Sequence, residues 1–314
     1  MDVLGKPGSL IIIGIIVLSL IVGGFLILNQ LDSSKPLQGD NNNYNIQRLT
    51  FPNRLNQSVR LDLYYNASWD QTTQYPVIFF GRGFASSNDN YRWLGELLVQ
   101  NNYFSVLIDF PGFLCPNHTQ NAYDFQDSFQ WLKERQLLDQ IPFSYMNFSN
   151  IAITGFSMGG RAATLASVLI QDIKTAVIMA PSNISASSEG MPDSELYAYA
   201  TNITAPTMVI ASSLDGIVNN DPRWVYNALQ VIPRQYIEIQ GGNHYQFTNI
   251  QLNIGDNAPE ISLANFRRIF SDYFISHLNY YLKNHLYSYS ILYGEQLEQN
   301  KIENLINSEY VIDK

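Results

Sequence analysis

The feature that most constrains this chain is a regular alternation of short apolar runs with longer helical patterns. Val59–Tyr65, Pro76–Phe80, Phe104–Asp109, Asn150–Thr154, Thr175–Ala180, Pro206–Ala211 and Gln235–Gln240 read as strands. Most are continuously apolar, as strands buried on both faces of a parallel sheet must be. Between them, Tyr91–Gln100, Tyr123–Leu138, Met158–Ile170, Asp221–Val231 and Leu263–Leu286 carry helical patterning. In Tyr123–Leu138, for example, Phe125, Phe129, Leu132 and Leu137 form one apolar face, while Lys133, Glu134 and Arg135 turn to water. Strands and helices at this spacing imply an α/β fold with a doubly wound, mostly parallel sheet. No internal repeat or second domain boundary interrupts residues 44–286. The tail, 287–314, carries Ile302, Leu305 and Ile306 among charged residues and is expected to be a helical extension.

Ahead of this domain lies a different kind of segment. Leu10 to Leu28 are 19 consecutive uncharged residues, of which only Gly14, Ser19, Gly23 and Gly24 are not strongly apolar. At about 1.5 Å per residue such a helix spans roughly 28 Å, close to the hydrocarbon thickness of a bilayer. A cleaved signal peptide is the competing reading. The run is longer than a usual signal core, however, and no small-residue cleavage motif follows it. The expectation is therefore a short cytoplasmic N-terminus (1–9), a single transmembrane anchor (10–28) and a polar tether (29–43). Lys6 before the span and six N-x-[ST] sequons, at Asn56, Asn66, Asn117, Asn147, Asn183 and Asn202, place the remaining chain outside the cytoplasm.

Charge and cysteine content narrow the function classes. With 18 Lys+Arg against 27 Asp+Glu, a net charge of −9 argues against binding nucleic acid through its phosphates. A single cysteine, Cys115, excludes an internal disulfide framework and a cysteine-rich zinc site. No metal or cofactor is expected.

The strongest chemical signal is Gly155-Phe-Ser-Met-Gly159, set between the strand pattern Asn150–Thr154 and a helix pattern that continues to Ile170. A serine at that junction sits on a sharp turn, with its hydroxyl at a helix N-terminus where amide donors favour negative charge. Glycines two positions either side are required where a side chain would strike the neighbouring backbone. A serine nucleophile needs a base, and the base needs a carboxylate to orient it. Asp215 follows the strand Pro206–Ala211, and His244 follows Gln235–Gln240, giving the order Ser157, Asp215, His244. Asp221 is the rival acid, although its place before Pro222 suits a helix N-terminus. Of the other histidines, His118 precedes the serine and reads as loop structure or a substrate contact. His277 and His285 fall in the last long helical pattern, as surface or packing residues.

An oxyanion hole would combine the amide of Met158 with one from the loop after an early strand. Pro76–Phe80 runs into Gly81-Arg-Gly-Phe-Ala-Ser86, where Gly83 permits an unusual backbone and the Phe84 amide is the second candidate donor. Arg82 could meet a substrate carboxylate or pair with a loop acid such as Asp89.

The ordered set Gly81-Arg-Gly-Phe84, Gly155-Phe-Ser-Met-Gly159, Asp215-Gly216 and Gly242-Asn-His244 resembles the α/β-hydrolase superfamily from about Tyr44 to Leu286. It is most similar to the dienelactone-hydrolase-like and small lipase or polyester-hydrolase branches. The resemblance implies Ser157 as nucleophile, His244 as base, Asp215 as orienting acid, and Phe84 and Met158 as oxyanion donors. Many relatives carry histidine where this chain has Arg82, which leaves the substrate subclass open. The segment Pro181–Ala205, where relatives often insert a lid, is short and polar here. The expected function is a membrane-anchored serine hydrolase of an ester or related acyl compound. A peptidase or acyltransferase would use the same triad, and a membrane-tethered binding protein would use the fold without the chemistry.

Overall fold

A computed structural model describes residues 44–70, 72–112, 117–138, 140–182, 193–219, 221–250 and 253–312. The expected N-terminus, membrane anchor and tether, together with Cys115, lie outside the described residues. Among the described residues no helix is long and apolar enough to cross a membrane.

Nine strands form one sheet in the order β1-β2-β4-β3-β5-β6-β7-β8-β9. They are β1 (Tyr44–Pro52), β2 (Ser58–Asn66), β3 (Tyr75–Gly81), β4 (Phe104–Asp109), β5 (Met146–Phe156), β6 (Thr175–Met179), β7 (Thr207–Ser212), β8 (Arg234–Ile239) and β9 (Ile306–Val311). The central strands β4, β3, β5, β6, β7 and β8 run parallel, and β1, β2 and β9 are added antiparallel at the two margins. The order reverses direction at β3, as a doubly wound sheet requires.

Every residue of β6 and β7 is buried. Since alternate side chains point to opposite faces, both faces must be covered. One helical layer comprises α2 (His118–Gln136), α3 (Met158–Leu169), α4 (Asp193–Thr201) and α5 (Asp221–Ala228), packed in that sequence. The other comprises α1 (Arg92–Gln100) and α6 (Leu263–Lys283), which meet through Trp93 and Phe270 with ring centroids 5.4 Å apart. Helix α6 starts at the Ser262 cap, whose side chain accepts from Asn265 N, and stops where Asn284 turns left-handed at φ 55°.

All seven expected strands are present, and β1 and β9 are additional. The tail is a departure from the expected helical extension. Short helices α7 (Ser288–Tyr293) and α8 (Glu295–Ile302) lead into β9, which pairs with β8 from Ile306 opposite Ile239 to Val311 opposite Arg234. An edge strand buries one face only, so Ile306 and Ser308 point inward while Asn307 and Glu309 face solvent. That pattern reads as polar in sequence.

Candidate active site

Ser157 joins β5 to α3 and occupies a sparsely populated backbone conformation, φ 55° and ψ −117°. A non-glycine residue held there costs of order 1–3 kcal/mol, which the surrounding packing must offset. Its amide donates to Met179 O at 2.9 Å, and its carbonyl accepts from Arg161 N at 3.0 Å and Ser182 N at 3.2 Å. The flanking glycines have no alternative. A Cβ on Gly155 would lie 2.1 Å from Gly159 O, and one on Gly159 would lie 2.1 Å from Gly81 O. The turn is therefore pressed against its own helix and against the end of β3, which carries the Gly81–Ser86 loop.

Asp215 follows β7 and His244 follows β8. His244 Nδ1 donates to Asp215 Oδ2 at 2.7 Å, with both side chains nearly inaccessible. The other carboxylate oxygen accepts from Ile217 N at 2.9 Å and Val218 N at 3.0 Å. Three hydrogen bonds thus fix the plane of the Asp215 carboxylate, and the imidazole Nδ1–H is committed to it. In the neutral ring this leaves Nε2 as the acceptor. The ring is positioned by Asn243, which caps a 3-10 turn (His244–Phe247) by accepting from Gln246 N, and by Phe156, whose ring centroid is 4.5 Å away. Because Phe156 immediately precedes Ser157, the imidazole packs beside the serine turn. Asp221, the rival acid, opens α5 instead.

A further residue ties these loops together. Asp256 Oδ1 accepts from Gly216 N at 2.7 Å and Asn257 N at 2.9 Å, while Oδ2 accepts from His244 N at 2.8 Å and Tyr245 N at 3.4 Å. One carboxylate therefore bridges the backbone next to Asp215 and that of His244. In sequence Gly255-Asp256 is similar to a stretch found in a bacterial branch of α/β-hydrolases, which gives Asp256 no role.

Met158 is the first residue of α3, so its amide is among those a helix leaves without an internal partner. Phe84 lies three residues beyond the end of β3 and is 47% exposed. The glycine before it is pinned at both ends. Gly83 N donates to the Tyr91 hydroxyl at 3.0 Å, and Gly83 O accepts from Ser86 Oγ at 2.8 Å and Arg82 Nη1 at 3.0 Å. Arg82 pairs with Asp109, not with Asp89, which pairs with Arg48. His118 is the first residue of α2, where burial, assisted by the Arg161 guanidinium, pushes it down to about 4. It is neutral at pH 7. His277 is a packing residue, buried against Thr175 Oγ1 at 2.6 Å. Among the described residues, no group of His, Cys, Asp and Glu is placed to hold a metal ion.

A family model described as PET hydrolase-like matches residues 61–272, which include the serine turn, both loops of the Asp215–His244 pair and the Gly81–Ser86 loop. The chain belongs to the PET hydrolase-like family. It is thereby a member of the α/β-hydrolase superfamily. Similar proteins include cutinase 2 of Thermobifida cellulosilytica, 23% identical over 188 residues that make up 56% of this chain and 62% of that protein. Cutinase cut1 of Thermobifida fusca is likewise 23% identical over 188 residues, covering 56% of this chain and 51% of its own length. Cutinase est1 of Thermobifida alba is 22% identical, covering 56% and 55%. The chain thus spans between about half and three-fifths of these relatives.

Proposed function

We propose that this protein is a serine hydrolase of carboxylic esters, acting through Ser157, His244 and Asp215. The reading is carried by the 2.7 Å His244–Asp215 hydrogen bond, set beside a serine in a strained strand-to-helix turn. Asp215 holds the imidazole so that Nε2 takes the Ser157 proton as Oγ bonds to the ester carbonyl carbon. The carbonyl electron pair moves to oxygen, and the Phe84 and Met158 amides stabilise that oxyanion. Collapse expels the alcohol, which receives the proton from Nε2, and leaves an acyl-enzyme. Water, deprotonated by the same nitrogen, then releases the acid. No step calls on a metal or cofactor.

The names of the relatives, cutinases, and of the family support an ester with apolar character. Phe84, and Ile254 beside the Asp256 loop, offer exposed apolar surface for it. The full chain should hydrolyse p-nitrophenyl butyrate, and Ser157→Ala should reduce the rate to background. Undiminished hydrolysis in Ser157→Ala would exclude the assignment. Residues 10–28 anchor this domain to the membrane, on the extracytoplasmic side. The full chain should then stay with membranes through alkaline carbonate extraction, and intact cells should leave residues 44–314 open to added protease. Release by carbonate would refute the anchor.

A further inference from the structure

Arg82 is 1% exposed, stands directly before the glycine of the candidate oxyanion loop, and has no part in the reaction as written above. Its guanidinium braces three places at once. Nε pairs with the Asp109 carboxylate at the end of β4, Nη2 donates to Phe110 O at 2.6 Å, and Nη1 donates to Gly83 O at 3.0 Å. With its donors so engaged, the group is turned into the protein and away from a substrate carboxylate.

Gly83 O and the Phe84 N–H belong to the same peptide group. That group is planar and trans, so whatever holds the oxygen also aims the hydrogen. Ser86 Oγ donates to the same oxygen at 2.8 Å, and its own oxygen lies 3.1 Å from the Tyr91 hydroxyl. Tyr91 in turn accepts from Gly83 N at 3.0 Å. Burial pushes Tyr91 up to about 12, so it keeps its proton and can donate to Ser86. A closed set of hydrogen bonds therefore surrounds the peptide that presents the Phe84 amide, and one of its donors carries a full positive charge.

We infer that Arg82 is a positioning residue that fixes and polarises the Gly83–Phe84 peptide, making the Phe84 N–H a preorganised oxyanion donor. The inference rests on Ser157 being the nucleophile. Hydrogen bonds to a carbonyl oxygen draw electron density from the amide nitrogen, so successive bonds strengthen one another. A charged donor does so more than a neutral one. Because Asp109 neutralises the guanidinium on its far side, the charge is tolerated in a buried place while Nη1 still meets the peptide.

The test compares Arg82→Met and Ser86→Ala in the full chain, with p-nitrophenyl butyrate as substrate and turnover counted per serine labelled at the endpoint by a fluorophosphonate. Deleting a whole oxyanion donor costs roughly 10²–10³ in kcat, so weakening one should cost about 10–100-fold in Arg82→Met and about 3–10-fold in Ser86→Ala. KM should stay within about twofold, since the oxyanion exists only beyond the ground state. The pH profile should keep its position, because the Asp215–His244 pair is untouched. Should Arg82→Met fail to fold, Ser86→Ala decides, since it removes one donor to the same oxygen without stranding a charge. Unchanged kcat per labelled serine, or a loss confined to KM, would overturn the inference. Failure of the underlying reading looks different: the unsubstituted protein would take up no label, or Ser157→Ala would still take it up.

Discussion

Asp256→Asn is the most informative single substitution outside the proposed triad, because it changes almost no volume and strikes one carboxylate that serves two loops. The native side chain accepts from Gly216 N and Asn257 N on one oxygen and from His244 N and Tyr245 N on the other. An asparagine has a single acceptor oxygen, so whichever loop it satisfies, its NH2 group faces the amides of the other. Each stranded amide costs about 1–3 kcal/mol. The 3.4 Å contact to Tyr245 is too long to count fully, so the loss should be about 2–4 kcal/mol. Part of that loss appears as local loosening of His244 relative to Asp215. Each 1.4 kcal/mol of poorer alignment in the transition state is a tenfold fall in rate. Urea denaturation should show a lower midpoint with an unchanged slope, and kcat for p-nitrophenyl butyrate should fall about tenfold or more. Stability within about 0.5 kcal/mol of the parent, together with kcat within twofold, would refute the bridging role.

Two further outcomes follow from burial. Burial pushes His277 down to about 3 and His118, with help from Arg161, down to about 4. An unfolded imidazole, near 6.5, takes its proton first, so stability is intact above about pH 6.5 and is lost as pH falls toward 4. Between pH 6.5 and 5 each histidine should remove on the order of 2 kcal/mol. Relative to the parent, His277→Gln, which can still donate to Thr175 Oγ1, should lose less stability between pH 6.5 and 5, against the opposing trend of the buried Asp62 and Asp124 carboxyls, which burial raises to about 6; an unchanged pH dependence would contradict the assignment. At the far sheet edge, Ile306 is 3% exposed and anchors β9 on β8, so Ile306→Ala should cost about 2–4 kcal/mol in the same denaturation assay. A change below about 0.5 kcal/mol would mean that β9 contributes little to the folded sheet.

What sequence could and could not reveal follows physical lines. The serine turn was legible because its motif lies within five residues between two strongly patterned elements. The pairing of Asp215 with His244 could be anticipated because each stands in the loop that follows a strand pattern, Pro206–Ala211 and Gln235–Gln240. β1 and β9 were not, since an edge strand buries half its residues and takes its order from the partner strand. Asp256 lies 40 residues from Gly216, and its role exists only once the two loops are brought together. Arg82 was conspicuous as a charge in a glycine-rich loop, but its partner is Asp109 because β3 and β4 run side by side, and Asp89 is occupied by Arg48. His118 looked like a residue of an open loop and is in fact buried at the start of α2.

The proposed hydrolysis requires Ser157 to be the group that bonds to the substrate's acyl carbon. The most direct test is to label the full chain to completion with a fluorophosphonate and map the adduct by peptide mass spectrometry. One adduct per chain is expected, on the peptide carrying Gly155-Phe-Ser-Met-Gly159 and at Ser157 itself, with hydrolysis of p-nitrophenyl butyrate lost in proportion. An adduct on any other residue, or full ester hydrolysis by a chain fully labelled at Ser157, would contradict it.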